Sequence, residues 1–371
     1  MKHLVKMILL MCQCMCVIYP AVSGQAASFK IASYNVENLF DLNRDLTEYD
    51  DYVPYGPSGW NRSVMDVKFD NIARVLKDLD ADIVSLQEIE SGKALALLQH
   101  RLHLMGAGYA YSAIADDRPT TVKCAVLSRY PIILREEIGV GEGRDRNILK
   151  VTVDIAGTPL ILYVNHWKSK IGPESRRIPC ASALAEDIKG LKSGVDFVLT
   201  GDFNSDYNEY ETFQNVARLN DTHGVTGINH ILKTLVDGRI VDESVLTTRQ
   251  KDRILYNLWM ELPEEKRWSV IFFGRKNTPD SILVSASLYD DSGVNYVDNS
   301  FNPFAPDYLF KEGRIYRWQR GDRGRGRHLG KGFSDHLPVF AEFTTQPFRF
   351  ETGREIARPM AKPGTTADGY R

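Results

Sequence analysis

Residues 195–204 read Val-Asp-Phe-Val-Leu-Thr-Gly-Asp-Phe-Asn. The first six make a short, mostly apolar strand of the kind that is buried on both faces. It runs directly into Gly201-Asp202-Phe203-Asn204. Gly201 permits another backbone to approach closely. Asp202 and Asn204, two apart on an extended chain, place an acceptor and a donor on one side. An apolar strand that hands polar side chains to a turn is the unit from which the rest of the chain can be read.

The unit recurs. Strand 29–35 ends in Asn35-Val36-Glu37-Asn38, and strand 83–87 delivers Glu88. A hairpin of 147–155 with 159–165, turning at Ala156-Gly157, delivers Asn165-His166. Asp280 stands ahead of strand 281–285, and Ser334-Asp335-His336 ahead of strand 338–343. Residues 123–128 make a further strand. Between these lie helices: about 63–79, where Ile72, Val75, Leu76 and Leu79 share one face; a second through Leu95 and Leu98; and a third from Ile178 to about Leu191. Residues 206–265 read as mainly helical with polar loops. No internal repeat is present. Strands alternating with helices, each strand ending in a polar group, predict an α/β fold with its site at one sheet edge.

Composition narrows the class. The 371 residues are 43% hydrophobic and 25% charged, the balance of a soluble globular chain rather than a disordered one. The start differs from the rest. Lys2 and Lys6 precede the apolar run 7–22, and Ser23, Gly24, Ala26 and Ala27 follow. This reads as a secretory signal peptide over residues 1–26, with cleavage after Ser23 or Ala26. An uncleaved anchor is the other reading, for which the run is short. Export to a periplasm, cell surface or medium follows, and the short basic leader suits a bacterium. Residues 27–348 then form the folded domain. The Pro-, Gly-, Thr- and Arg-rich residues 349–371 form a mobile tail.

Cys12, Cys14 and Cys16 fall in the leader, which leaves Cys124 and Cys180, too few for a disulfide scaffold. Whether those two pair is open. The formal charge is −2, and the leader carries two lysines and no acid. A dedicated nucleic-acid binder would be basic overall. Basic residues do concentrate in 311–331, with eight Lys or Arg against Glu312 and Asp322. That stretch is either a grip for an anionic substrate or a solvated loop.

Taken singly, each polar strand end has an ordinary reading. Asn35 can be a turn-former, Glu88 a solvated loop residue, Gly201–Asn204 an Asx-turn and His166 a satisfied structural histidine. Their joint occurrence at strand ends favours chemistry. The ordered set resembles the endonuclease/exonuclease/phosphatase superfamily, the deoxyribonuclease-like metal-dependent phosphoesterases, over about residues 29–345. The most specific marks are Gly201-Asp202-Phe203-Asn204 and Ser334-Asp335-His336-Leu337-Pro338-Val339.

The resemblance implies an α+β, four-layer sandwich: two mainly antiparallel β-sheets face to face, flanked by helices. It implies Mg²⁺, with Mn²⁺ as the alternative, held by Asn35, Glu88 and Asp335. Glu37 is a further candidate. It implies catalytic roles for His166, Asp202, Asn204, Asp280 and His336, with Asp280 holding His336. Arg146 and Asn165 are implied as substrate-binding residues. Two departures stand out. Ser281 follows Asp280 where many relatives have His, and Thr121-Val122-Lys123 lacks an acidic residue that close relatives carry.

The implied substrate is a phosphate ester, with DNA or RNA foremost and a secreted nuclease the leading function. A phosphatase or sphingomyelinase-like phospholipase on lipid or sugar phosphates is the alternative. For membrane contact it would draw on Trp259, Trp268, Phe272, Phe273, Phe301, Phe304 and Trp318, and such contact stays open. An inactive binding protein on the same fold is a third reading, against which the retained polar set argues. No stable protein partner is implied.

Overall fold

The computed structural model describes residues 27–351, except Glu142, Arg144, 250–252 and Phe273. The expected signal peptide (1–26) and most of the expected C-terminal tail (352–371) lie outside the described residues, as does Phe273. Through Glu351 the chain is still engaged: Phe348 packs on Tyr289, and the Glu351 N–H donates to Asp298 Oδ2 at 2.6 Å.

Among the described residues up to Asp202, eight strands and three α-helices make up most of the chain. They are β1 (Ser28–Leu39), α1 (Arg62–Leu79), β2 (Ile83–Ile89), α2 (Gly92–Leu104), β3 (Tyr111–Ile114), β4 (Lys123–Ser128), β5 (Ile132–Ile138), β6 (Ile148–Ile155), β7 (Thr158–His166), α3 (Ile178–Gly190) and β8 (Phe197–Asp202). Strands Leu255–Asn257, Asp280–Ser285 and Val339–Thr344 complete the sheets.

The first sheet runs in the order Asn295–Tyr296, Val339–Thr344, β1, β2, β4, β3, with Asn302–Pro303 also on Val339–Thr344. The second runs Leu255–Asn257, Asp280–Ser285, β8, β7, β6, β5. Each is antiparallel apart from one parallel pair, β1 with β2 and β7 with β8.

Strand alternation builds the layers. Ile31, Ile83 and Val126 of one sheet meet Val151, Leu162, Val198 and Ile282 of the other between the sheets. The intervening residues Ala32, Tyr34, Val84 and Leu86 face outward onto α1 and α2. Tyr163, Leu199 and Leu283 do the same onto α3. Helix, sheet, sheet, helix is the four-layer arrangement expected. Cys124 and Cys180 are both buried and free, one between the sheets and one on the buried face of α3.

Two stretches differ from expectation. Residues 206–265 are not mainly helical. They hold the short helices Glu209–Thr212 and Glu243–Thr248, the turn Gly227–Ile231 and small strands. Buried side chains take over the backbone bonds a helix would have made. Asn229 donates to Tyr207 O at 2.7 Å and accepts from the Tyr210 N–H at 2.9 Å. Strands β3 and β5 were also not anticipated. The edge strand β5 exposes Ile133, Leu134, Arg135 and Glu136 in succession, which hides its strand pattern.

At Gly201 the two parallel strands of the second sheet come unusually close. Its φ is +134°, and a Cβ there would sit 2.0 Å from Asn165 O. We expect Gly201→Ala to lower unfolding free energy by roughly 2–4 kcal/mol and to displace Asp202. Urea denaturation checks this against Gly190→Ala, where a Cβ meets nothing within 4 Å.

Candidate active site

The alternation that fills the core also decides which polar groups enter the gap. On β7 the inward set is Leu160, Leu162, Val164 and then His166. On β8 it is Val198, Thr200 and then Asp202. On Asp280–Ser285 it is Asp280, Ile282 and Val284. Register pairs His166 with Asp202 and Asp202 with Asp280. Three polar groups therefore stand side by side where the apolar rows stop. On β1, in the facing sheet, the row Phe29, Ile31, Ser33 ends in Asn35. Asn35 Nδ2 donates across the gap to Asp202 Oδ2 at 3.1 Å.

Glu88 breaks the alternation. Gln87 already points inward, accepting from Ser33 Oγ at 3.4 Å, so a regular strand would turn Glu88 toward the helices. A register irregularity between Leu86 and Ile89, with φ +67° at Glu88, re-aims it. Glu88 Oε1 then accepts from Asn35 Nδ2 at 3.1 Å and Oε2 from the Asn38 N–H at 2.9 Å.

His336 is fixed from three directions. Its Nδ1–H faces Asp280 Oδ2 at 2.8 Å, its own N–H donates to Ser334 Oγ at 3.1 Å, and Ser334 Oγ donates to Asn35 O at 2.7 Å. Asp280 is wholly buried and also accepts from Ser269 Oγ at 2.6 Å. Asp335 lies beside the ring, its Oδ1 3.8 Å from His336 Nε2.

Burial and charge set the protonation states. Burial works against a charged His336, but Asp280, Asp335 and Asp202 outweigh it and hold the imidazole well above its ordinary range. Burial pushes His166 well below that range, and Arg146 and His336 push the same way. The two histidines are shifted in opposite directions, His336 toward the cation and His166 toward the neutral ring. Burial, with Asp280 beyond it, raises Asp202 to about 6. Burial and Asp335 raise Glu88.

Seven of the expected residues converge: Asn35, Glu88, His166, Asp202, Asp280, Asp335 and His336. Asn204 lies at their border. Its N–H donates to Asp202 Oδ1 at 2.8 Å, its Nδ2 donates to Trp167 O at 3.2 Å, and its backbone is left-handed at φ +47°. Arg146 backs His166, with Nε donating to His166 O at 3.1 Å and Nη2 to Trp167 O at 2.8 Å. It also lines a cleft of about 390 Å³ with Tyr49, Thr120, Thr121 and Lys168.

Asn165 is not brought to the cluster, which corrects its expected place among substrate-binding groups. It follows Val164 and precedes His166, so it points to the opposite face. There it donates to Thr200 O at 3.2 Å and accepts from Trp167 Nε1 at 3.1 Å. Glu37 is also engaged, by Arg317 at Oε1 and by the Trp318 N–H at Oε2, 3.0 Å. Arg317 reaches Asp335 Oδ2 at 3.2 Å as well. The sequence offered only the basic run 311–331 as a sign of Arg317, and nothing for Ser269.

The donors present suit a hard cation. Glu88 and Asp335 offer carboxylate oxygens, and burial followed by Asp335 raises Glu88. Asn35, by contrast, turns Nδ2 to Glu88 and Asp202 while its Oδ1 accepts from the Glu37 N–H at 3.0 Å. Asp202, Asp280 and His336 also bring ligand-type atoms within 4.8 Å of one another. The hydrogen bond between His336 and Asp280 makes that trio a charge relay to the gap rather than a ligand set.

The sequence profile of the endonuclease/exonuclease/phosphatase family matches residues 30–345. The chain belongs to this family. Its members are phosphoester hydrolases that depend on divalent metal. Solved structures agree on the fold. A family member from Bacteroides thetaiotaomicron is 16% identical, with 87% of this chain and 99% of that one covered and a TM-score of 0.50. D. rerio TDP2 complexed with single strand DNA product is 16% identical, with 85% and 99% covered and a TM-score of 0.51. The B. thetaiotaomicron mannosyl-6-phosphatase is 15% identical, with 85% and 99% covered and a TM-score of 0.48. No curated protein sequence matches the chain.

The protonation states predict a bell-shaped pH profile. Turnover should rise through about pH 6 as Asp202 loses its proton, and fall only where His336 is deprotonated, well above the ordinary imidazole range. Asp280→Asn removes the leading charge that raises His336. Its alkaline limb should therefore move to lower pH, with kcat down about 10²–10⁴-fold. The pH dependence of kcat for both proteins is the measurement, and an unmoved alkaline limb would assign it to another group.

Proposed function

We propose that the chain is an exported phosphodiesterase that cleaves nucleic acid with a divalent metal, Mg²⁺ first and Mn²⁺ as the alternative. One observation carries the chemistry. A carboxylate oxygen of Asp202, raised to about 6, and a ring nitrogen of the cationic His336 lie within 4.8 Å of each other at the mouth of the gap. A base and a fixed positive donor in such proximity suit attack of water on an anionic ester.

At neutral pH Asp202 is ionised and accepts a proton from water. The Asn204 N–H fixes one of its oxygens, which leaves Oδ2 toward Asn35 and the gap. His336 gives Nδ1–H to Asp280 and turns Nε2–H toward the phosphate oxygen on which charge builds. His166 stays neutral and offers the ester a hydrogen bond. Glu88 and Asp335 would hold the metal beside Asn35, and it would supply Lewis acidity toward the phosphate.

Nucleic acid is favoured because the family spans nucleases and because TDP2 of D. rerio, which shares the fold, is complexed with single strand DNA product. A second reading, a phosphatase or phospholipase on sugar or lipid phosphates, is favoured by two features. The cleft beside Arg146 holds about 390 Å³, the volume of a single small unit. Within the basic run, Arg317 is tied to Glu37 and Arg320 to Asp51, so less charge is left for a long polyanion. A lipid surface is the weaker form of this reading. Trp259, Phe301 and Trp318 are core residues, Trp268 and Phe304 are partly buried, and Phe272 is about half exposed. Among the described residues, no helix is long and apolar enough to cross a membrane.

The test uses residues 27–371 freed of metal, with plasmid DNA, RNA, bis-p-nitrophenyl phosphate, p-nitrophenyl phosphate and sphingomyelin. Each substrate is given Mg²⁺, Mn²⁺ or chelator. We expect metal-dependent nicking of plasmid, reduced at least ~10³-fold by Glu88→Ala and ~10²–10⁴-fold by His336→Ala. Turnover of small esters without nicking would move the substrate to the second reading. Recovery of the protein in the cytoplasmic fraction of its host would overturn export.

A further inference from the structure

Strands β7, β8 and Asp280–Ser285 bring His166, Asp202 and Asp280 side by side, and each strand joins a loop at that edge. The backbone ladder continues one step, with the Trp167 N–H donating to Asp202 O at 2.9 Å and the Phe203 N–H to Pro279 O at 2.8 Å. Beyond that step a buried charge cluster takes its place. Asp206 Oδ1 accepts from the Thr278 N–H at 2.7 Å. Its Oδ2 accepts from Lys170 Nζ at 2.7 Å and from Asn277 Nδ2 at 3.2 Å. Lys170 also meets Glu209 Oε2 at 2.6 Å, and that oxygen accepts from the Asp206 N–H at 2.7 Å.

One carboxylate thus joins three loops. Lys170 lies four residues past His166, Asp206 two past Asn204, and Thr278 two before Asp280. Asp206 is 5% exposed and Glu209 is fully buried. Burial pushes Asp206 up, but Lys170 and the Thr278 amide outweigh it and hold it below the ordinary carboxylate range. A buried ion cluster is a poor source of stability beside apolar packing. What it adds is direction, because charge-assisted bonds are short and oriented. The direction matters most at Asn204, whose left-handed backbone sits between Asp202 and this cluster.

We propose that Asp206, with Lys170 and Glu209, is a positioning latch that sets Asn204 and Asp280 relative to His166 without touching substrate. The proposal rests on the functional reading above, since it concerns the same site.

Three variants test it. Asp206→Asn keeps size and loses charge, Lys170→Met keeps length and loses charge, and Lys170→Arg keeps the charge. The readouts are kcat and KM on bis-p-nitrophenyl phosphate with Mg²⁺, the thermal midpoint, and hydrogen exchange at the Trp167, Phe203 and Thr278 amides. In protein still folded at assay temperature, the two charge-losing variants should lose about 10–100-fold in kcat with KM within about threefold. Lys170→Arg should recover most of the rate. Exchange at the three amides should quicken while β1 and β2 keep their protection. Unchanged kcat, or a rate loss that only follows the folded fraction, would overturn the latch. If the wild type turns over no diester, the functional reading fails, and exchange alone decides: quickened exchange at the three amides upholds the latch, and unchanged exchange overturns it.

Discussion

Five carboxylates converge on one end of the gap between the sheets: Glu37, Glu88, Asp202, Asp280 and Asp335. Burial and neighbouring carboxylates raise Glu88 and Asp202, and Glu37 is driven to about 7 by burial and Asp335. Such a cluster persists only if cations meet it. Arg317 lies between Glu37 and Asp335, and His336 lies against Asp280. Lys68 lies buried beside the cluster, its own pKa lowered to about 8 by burial. Glu88 and Asp202 are hydrogen-bonded by neutral donors alone, with Asn35 bridging the two. A divalent cation held there would offset the repulsion these carboxylates exert on an anionic phosphate.

Sheet topology explains how one edge can hold so many polar groups. In each sheet the single parallel pair sends two strands out at the same edge: β1 and β2 in one, β7 and β8 in the other. An antiparallel neighbour then enters at that edge, Val339–Thr344 beside β1 and Asp280–Ser285 beside β8. Every segment of the site is therefore a strand exit or a strand entry. An all-antiparallel sheet would alternate exits and entries with tight turns and leave less loop free for side chains. Placing the parallel pairs face to face brings Asn35 and Glu88 opposite His166 and Asp202.

This edge was legible in the sequence because each member of it ends or begins an apolar run, and period-2 alternation points the inward row at the gap. Asn165 entered as a substrate-binding residue only through the resemblance, and alternation places it on the face opposite His166. Glu88 faces the site only because a backbone irregularity reverses it, and no composition signal marks a positive φ at a glutamate. Arg317 was hidden by long range, since its partners Glu37 and Asp335 are held together only by the fold. Residues 206–265 misled because their apolar spacing suits a helix, while Thr226, Asn229 and Thr234 bond the backbone into turns.

The two histidines show how far residue type falls short of role. His166 and His336 stand at the same edge and face the same gap. His336 lies among Asp280, Asp335 and Asp202 and is held protonated. Burial pushes His166 the other way, and Arg146 and His336 add to the push. In the proposed mechanism, a cation fixed by a buried aspartate would meet the charge that develops on phosphate. The neutral ring, lacking that aspartate, would direct the ester by a hydrogen bond, a division of duties that follows from Asp280 standing on the strand beside β8.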